Sequence, residues 1–162
     1  MRRHRLKVRA VKDLMADVAT RLKVNPGVLP TQLDIMTVDS KFYLYLGRGE
    51  PLFLQAYDDV LPTLLNSLVL SRLPVITVDS GAVPHICNGA KLMAPGIVGL
   101  VGEFSSGDLV VIREEKYGKI IALGQTRYSS SETQEKQSGV IADNVHYVGD
   151  KYWNTYRSLQ TL

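Results

Sequence analysis

Cysteine is nearly absent from this chain, which has a single one, Cys87, among 162 residues. One cysteine excludes an internal disulfide and fits a reducing compartment. Cys87 follows Ile86 on the apolar side of a predicted helix, so we interpret it as a small packed thiol rather than a nucleophile. His4, His85 and His146 have no metal-ligand spacing with it. The sequence therefore predicts no metal site and no other cofactor.

Long apolar runs are also lacking, because none approaches the ~20 residues that a membrane-spanning helix requires. The first residues, Met-Arg-Arg-His-Arg, lack the apolar core of a secretory signal. With 45% hydrophobic and 22% charged residues, the chain has the composition of a globular protein with a real core. We expect a cytoplasmic protein of one domain or two small ones.

Catalytic motifs are missing as well. Asp79-Ser80-Gly81 does not match the G-x-S-x-G nucleophile elbow. The glycines between Gly96 and Gly102 lack the G-x-G-x-x-G spacing and a following helix, which argues against a dinucleotide site. We therefore predict that the protein is not an enzyme.

Acidic residues are absent from the start of the chain, although the net charge is only +3. Six cations precede the first acid, Asp13: Arg2, Arg3, Arg5, Lys7, Arg9 and Lys12. The remaining residues are net acidic, so the basicity is confined to an N-terminal arm. Such an arm either adds salt-sensitive contacts to RNA phosphates, with Arg2, Arg3 and Arg5 as candidates, or is a solvated tail.

The N-terminal half predicts a small mixed domain over residues 1–73. Val11, Leu14, Met15, Val18 and Leu22 have the spacing of an amphipathic helix. Short apolar runs at 35–38, 42–46 and 52–54 are separated by turn residues and predict antiparallel strands. Leucines and Val69 over residues 61–69 predict a second helix, whose start Asp58 and Asp59 favour.

The stretch from Val75 to Gly96 predicts a strand, a very short helix, a glycine exit and a second strand. Asp79 or Ser80 is placed to accept a hydrogen bond from the first amides of that helix, and Pro84 suits its first turn. Asn88-Gly89 favours a left-handed exit. Free helix amides beside glycines first suggest an anion site. Because this half of the chain is slightly acidic, we interpret the stretch as a shape-selective backbone surface instead.

The residues after Gly96 predict a mostly antiparallel, barrel-like domain over residues 74–162. Residues 109–112 and 119–123 form a predicted hairpin, and residues 140–142 and 146–148 are separate strand candidates. Residues 129–138 are predicted as a loop or one helical turn. The predicted fold class is therefore α+β, with an N-terminal α/β-mixed domain before a β pseudo-barrel.

Several stretches resemble the PUA domain, which is named for pseudouridine synthases and archaeosine transglycosylases. They are Asp79-Ser80-Gly81-Ala82, Gly89-Ala90-Lys91-Leu92-Met93-Ala94-Pro95-Gly96, Gly107-Asp108-Leu109-Val110 and Ala122-Leu123-Gly124. The N-terminal half and Asn144-Val145-His146-Tyr147, followed by Asp150 and Trp153, are similar to the malignant T-cell-amplified sequence family and its archaeal counterparts. This second resemblance covers nearly the whole chain.

The resemblance implies a pseudo-barrel that binds structured RNA through the short helix, the glycines after it and the next strand. The residues implied in RNA contact are Gly81, Ala82, Val83, Asn88, Gly89, Ala90, Lys91 and Met93, with His146, Tyr147 and the nearby Arg127 as further candidates. Proteins of that family act in translation initiation, reinitiation and recycling with tRNA and the small ribosomal subunit. The resemblance implies either that a partner resembling density-regulated protein supplies a further module or that the chain works alone.

Three functions remain open from the sequence. The first is a non-catalytic RNA-binding protein of the translation apparatus that contacts tRNA or ribosomal RNA. The second is an accessory that targets a separate enzyme in RNA modification or ribosome assembly. The third is a protein-interaction adaptor without RNA binding.

Overall fold

The computed structural model describes residues 1–160, which form two compact units. Unit 1 comprises Met1–Arg72 and the chain from Thr155 onward, and unit 2 runs from Leu73 to Asn154. Of the helices in this described part, none is long and apolar enough to cross a membrane.

The elements are numbered here in chain order. The strands are β1 (Arg2–Arg5), β2 (Asp34–Thr37), β3 (Phe42–Gly47), β4 (Glu50–Ala56), β5 (Asp59–Pro62), β6 (Val75–Val78), β7 (Leu92–Met93), β8 (Ile97–Val101), β9 (Leu109–Glu114), β10 (Ile120–Thr126) and β11 (Val140–Tyr147). The α-helices are α1 (Val8–Leu22), α2 (Ser67–Leu70), α3 (Val83–Ile86), α4 (Ser130–Glu135) and α5 (Lys151–Gln160). Two 3-10 turns occupy Pro26–Val28 and Ala94–Gly96.

Unit 1 contains a five-stranded antiparallel sheet in the order β1-β2-β3-β4-β5 and the helix α1. The predicted apolar stripe of α1 is confirmed, because Val11, Met15, Val18 and Leu22 are buried. Helix α1 ends at Lys23, whose φ of 56° closes the last turn in the left-handed region. The short predicted strands are also present as β2, β3 and β4.

The second helix predicted over residues 61–69 is wrong. Residues 59–62 form strand β5, with the alternating exposure of a strand that is buried on one face. Asp58 lies in the tight turn after β4, where Tyr57 has φ of 58°, and Asp59 begins β5, so neither starts a helix. The only helix in this stretch is α2, which Asn66 caps by accepting a hydrogen bond from the Val69 amide at 3.4 Å.

Unit 2 contains a six-stranded sheet in the order β7-β11-β10-β9-β6-β8. Its pairs are antiparallel except β6 with β9, so the predicted mostly antiparallel α+β fold is confirmed. The core includes Ile76, Ile86, Ile112 and Ile141, each at most 2% exposed. The two strand candidates after residue 139 are one continuous strand, β11, which shifts register opposite Leu123 and Gly124.

The last helix, α5, passes from residues of unit 2 into residues of unit 1. Tyr156 is fully buried, and its hydroxyl accepts a hydrogen bond from the Leu64 amide at 3.0 Å. Gln160 donates to the Glu50 carboxylate at 3.1 Å. The predicted second domain, residues 74–162, includes this segment, whereas residues 155–160 belong to unit 1.

Candidate nucleic-acid interface

A side-chain hydrogen bond closes the turn that leads into helix α3. Asp79 Oδ1, and not Ser80, accepts a hydrogen bond from the Ala82 amide at 2.9 Å, whereas the N-cap residue is Ala82, which has no side-chain cap. The Asp79 amide donates to the Gly96 carbonyl at 2.9 Å and joins this turn to the start of β8. Pro84 lies in the first turn, as predicted. Because the Ala82 amide already has a partner, it is not presented to an anion.

The exit from α3 is an exposed turn over residues 88–91. Gly89 has φ of +90°, so the predicted left-handed exit is confirmed. A Cβ atom at Gly89 would lie 3.1 Å from the Tyr147 hydroxyl oxygen and 3.3 Å from a ring carbon. The positive φ therefore favours glycine here, and any other residue would in addition require the Tyr147 side chain to shift.

Asn144 on β11 supports this turn through hydrogen bonds, and it is not among the site residues predicted from the sequence. Its Nδ2 donates to the Ile86 carbonyl at 2.9 Å and to the Ala90 carbonyl at 3.1 Å. Asn144 Oδ1 is buried and has no hydrogen-bond partner among the described residues. In the sequence, Asn144 is marked only by being a polar amide between two predicted strands. Its hydrogen-bond partners become evident only in the folded chain.

The charge near the turn is organised around Asp143. Arg127 donates to both carboxylate oxygens of Asp143, with its Nε at 3.2 Å and its Nη2 at 2.8 Å. These hydrogen bonds hold the pKa of Asp143 below its usual range, and the positive charge of Lys91 lowers it further. Arg127 and Lys91 thus share one carboxylate, which leaves this surface with a small excess of positive charge.

The structure corrects the prediction that His146 contacts RNA. The His146 side chain is fully buried, and its Nδ1 lies 2.7 Å from Asp150 Oδ2. Burial opposes ionisation of Asp150, but the hydrogen bond with His146 and those from the Tyr147 and Trp153 amides give its carboxyl a lowered pKa. The buried His146 side chain therefore links β11 to Asp150, the residue that precedes α5.

The other predicted contact residues lie in two places. In unit 2, the exposed ones are Gly81, Asn88, Gly89, Ala90, Lys91, Met93 and Arg127, whereas Ala82, Val83 and Tyr147 are half-buried. We define the turn surface as residues 88–91, Met93 and Tyr147. In unit 1, Arg2, Arg3 and Arg5 form most of β1 and are exposed.

The basic arm is a strand and not a loose tail, because β1 pairs with β2 along its whole length. Asp34 on β2 forms ion pairs with Arg3 at 2.7 Å and with Arg5 at 2.5 Å. Hydrogen bonds from both arginines lower the pKa of Asp34, and the bond from Arg3 has the larger effect. The Arg3 and Arg5 side chains remain 44% and 64% exposed, so each still presents N–H groups to solvent.

Cys87 is half-buried beside the core of unit 2. Burial raises the pKa of its thiol, which disfavours the nucleophilic thiolate. The described residues contain no cluster of three or more His, Cys, Asp or Glu side chains that could hold a metal ion.

Comparison with known proteins identifies both the fold and the family. Residues 74–148 match the PUA domain model. The chain is 31% identical over 157 residues to an uncharacterized protein of Methanocaldococcus jannaschii, covering 94% of this chain and 96% of that one. It is 30% identical over 156 residues to translation machinery-associated protein 20 of Schizosaccharomyces pombe, covering 91% and 86%.

The structure of a conserved PUA domain protein from Thermoplasma acidophilum superposes with a TM-score of 0.75 at 27% identity, covering 96% of this chain and 99% of that one. These similarities extend over both units and confirm the resemblance inferred from the sequence. The chain therefore belongs to the malignant T-cell-amplified sequence family of PUA-domain proteins, which includes translation machinery-associated protein 20.

Proposed function

We propose that this protein is a non-catalytic RNA-binding protein of the translation apparatus. Its turn surface would contact tRNA or the RNA of the small ribosomal subunit during initiation, reinitiation or recycling. Membership of a PUA-domain family with a translation machinery-associated relative supports this role. The observation that carries the proposal is the exposed glycine turn, which Asn144 supports with two hydrogen bonds and beside which Tyr147 packs closely.

Recognition would rest on shape more than on charge. Gly89 and Ala90 have little or no side chain to keep an RNA backbone away, and Lys91 contributes one cation beside them. Phosphates and 2′-hydroxyls of a helical RNA end are the groups that such a surface can contact. In unit 1, the exposed arginines of β1 would add salt-dependent phosphate contacts without base specificity.

A partner chain resembling density-regulated protein would supply a second module for the ribosome, and we place the assembly in the cytoplasm. The partner and the cytoplasmic location are both proposed because this chain belongs to the family. They are separate from the turn surface, which is testable with the purified protein alone.

The direct test is Ala90→Glu. This side chain is exposed and lies where we place the RNA backbone, so a carboxylate should repel phosphates and weaken tRNA or small-subunit binding about tenfold, which corresponds to ~1.4 kcal/mol. Gly89 is a poor site for this test because any side chain there meets Tyr147.

The matched control is Ser131→Glu, which adds the same charge at an exposed position in the first turn of α4, where an acid is tolerated. Binding should be measured by filter retention and by sedimentation with isolated small subunits. Equal affinities of the two variants would contradict the proposed surface. Co-purification with an RNA-modifying enzyme, without sedimentation on ribosomal subunits, would favour the targeting accessory.

A further inference from the structure

A groove with an apolar lining runs along helix α1 in unit 1, and the proposed RNA contacts do not use it. It has a volume of about 640 Å³ and lies between α1 and the segment over residues 24–31. Apolar side chains that line it include Val8, Met15, Ala16, Val24, Leu29 and Pro30. Of the described residues that line it, none is aromatic and only Lys12 is charged.

The same helix provides both the floor and the edge of this groove. Val11 and Met15 are buried and form the floor, whereas Val8 is 71% exposed at the edge. Val8, Lys12 and Ala16 follow each other at four-residue spacing and form one exposed row along the helix. The small Ala16 side chain leaves space that a bulkier side chain from another molecule would fill.

The charges on α1 are distributed unequally around this groove. Lys12 lies within the exposed row and lines the groove. Asp13 and Asp17 belong to the same helix but do not line the groove. The charge that the described lining residues present is therefore positive, and it comes from Lys12.

We propose that this groove binds an amphipathic helix of a partner protein, whose apolar row packs against α1 and residues 24–31 and whose acidic side chains face Lys12. The groove follows α1 from Val8 to Thr20, a span of about 18 Å or three turns. That length suits apolar anchors at i, i+3, i+4 and i+7.

The lining distinguishes this partner from two others. RNA binding relies on phosphate contacts and aromatic stacking, and an aliphatic groove with one lysine provides little of either. Packing α1 of a second copy into the groove would bring Lys12 of one copy near Lys12 of the other, which is electrostatically unfavourable. An acidic helix matches both the apolar lining and the charge.

The probe is a fluorescent 16-residue helical peptide with leucines at i, i+3, i+4 and i+7 and glutamates beside them, titrated with the full chain. Wild-type protein should bind it, and Ala16→Glu should weaken binding at least tenfold. The matched control is Ala10→Glu, which introduces the same residue at an exposed alanine on the opposite side of α1. It should bind the peptide like the wild type.

A charge exchange tests the orientation of the peptide. Lys12→Glu should weaken binding of the glutamate peptide. It should strengthen binding of a second peptide that has lysines in place of the glutamates. Absence of peptide binding, equal losses in Ala10→Glu and Ala16→Glu, or displacement of the peptide by tRNA would overturn the proposal. A concentration-dependent dimer that is detected by sedimentation and abolished by Ala16→Glu would also overturn the proposal. The Ala90→Glu test lies in unit 2, so the two proposals can fail separately.

Discussion

Asn144 donates a hydrogen bond to the carbonyl oxygen of Ala90 at 3.1 Å, across 54 residues of sequence. The same amide group bonds the Ile86 carbonyl, so one side chain joins the end of helix α3 to the turn that follows it. The shape of the turn surface therefore depends on a residue that is not exposed on it.

Replacing Asn144 with alanine should remove both hydrogen bonds and leave the Ile86 and Ala90 carbonyls without this partner. We expect the free energy of unfolding to fall by about 1–3 kcal/mol. RNA affinity should fall as well at temperatures where the variant is fully folded, because the turn loses its fixed conformation. Circular dichroism with urea titration and filter binding measure the two effects. Full RNA affinity in the folded variant would show that the two Asn144 hydrogen bonds are not needed for RNA binding.

Gly89→Ala should destabilise the protein more than Gly139→Ala. The two glycines have nearly equal φ values, +90° and +89°, so both variants introduce similar backbone strain. Only at Gly89 would the new Cβ meet another side chain, since nothing lies within 4 Å of the corresponding position at Gly139. Urea denaturation compares them. A Gly89→Ala, Tyr147→Ala double variant should recover the part of the loss that is due to the contact, and equal losses in both single variants would contradict this explanation.

Asp143→Asn should increase RNA affinity and steepen its salt dependence. The neutral amide no longer pairs with Arg127 or attracts Lys91, so these cations become available to phosphates. Each added phosphate contact contributes roughly 0.7–0.9 to the slope of log affinity against log salt concentration. Titrations at several salt concentrations give this slope. An unchanged slope would place RNA away from Arg127 and Lys91.

Neutralising the arginines of β1 should reduce the same slope without unfolding unit 1. Deleting the first nine residues is a poor test, because it removes β1 and the start of α1. A variant with Arg2→Gln, Arg3→Gln and Arg5→Gln keeps the strand pairing of the backbone and removes three charges. We expect a decrease of up to about 2–3 in the slope, with the preference among RNAs unchanged. Loss of that preference would show that the arginines of β1 help to distinguish one RNA from another.

The stability of the protein should fall in acid partly through Asp150. Its pKa is lowered in the folded state, so its contribution is present above the pKa of the unfolded chain, about 3.9, and is lost as pH falls through the lower folded value. Asp150→Asn should therefore unfold more readily at pH 6 than the wild type, and the difference should narrow toward pH 2. Thermal denaturation across this range measures it. A constant difference at all pH values would mean that folding does not shift the pKa of Asp150.

The parts of the fold that were predicted from the sequence depend on local signals. The spacing of Val11, Met15 and Val18 identified α1, and Asn88-Gly89 identified the left-handed exit of α3. The leucines before Val69 were misleading, because apolar residues at that spacing also suit a buried strand followed by a short helix. Strand β5 forms there because its pairing with β4 outweighs the local helical pattern.

The candidate site was predictable only in part, for a related reason. Gly89, Ala90 and Lys91 are adjacent in sequence and mark a turn by themselves. Asn144 acquires its role through hydrogen bonds to partners more than fifty residues away, which no local pattern shows. His146 resembles a surface residue in a polar stretch, but in the fold it points into the core and pairs with Asp150.

The hydrogen bond between the Tyr156 hydroxyl and the Leu64 amide spans 92 residues, and all of unit 2 lies between them in sequence. During synthesis, the ribosome therefore releases every residue of unit 2 before Tyr156 emerges. Unit 2 is one continuous segment of sequence, whereas unit 1 is built from two segments and needs residues on both sides of unit 2. A stalled or truncated chain that lacks the final helix would leave the Leu64 amide without this partner.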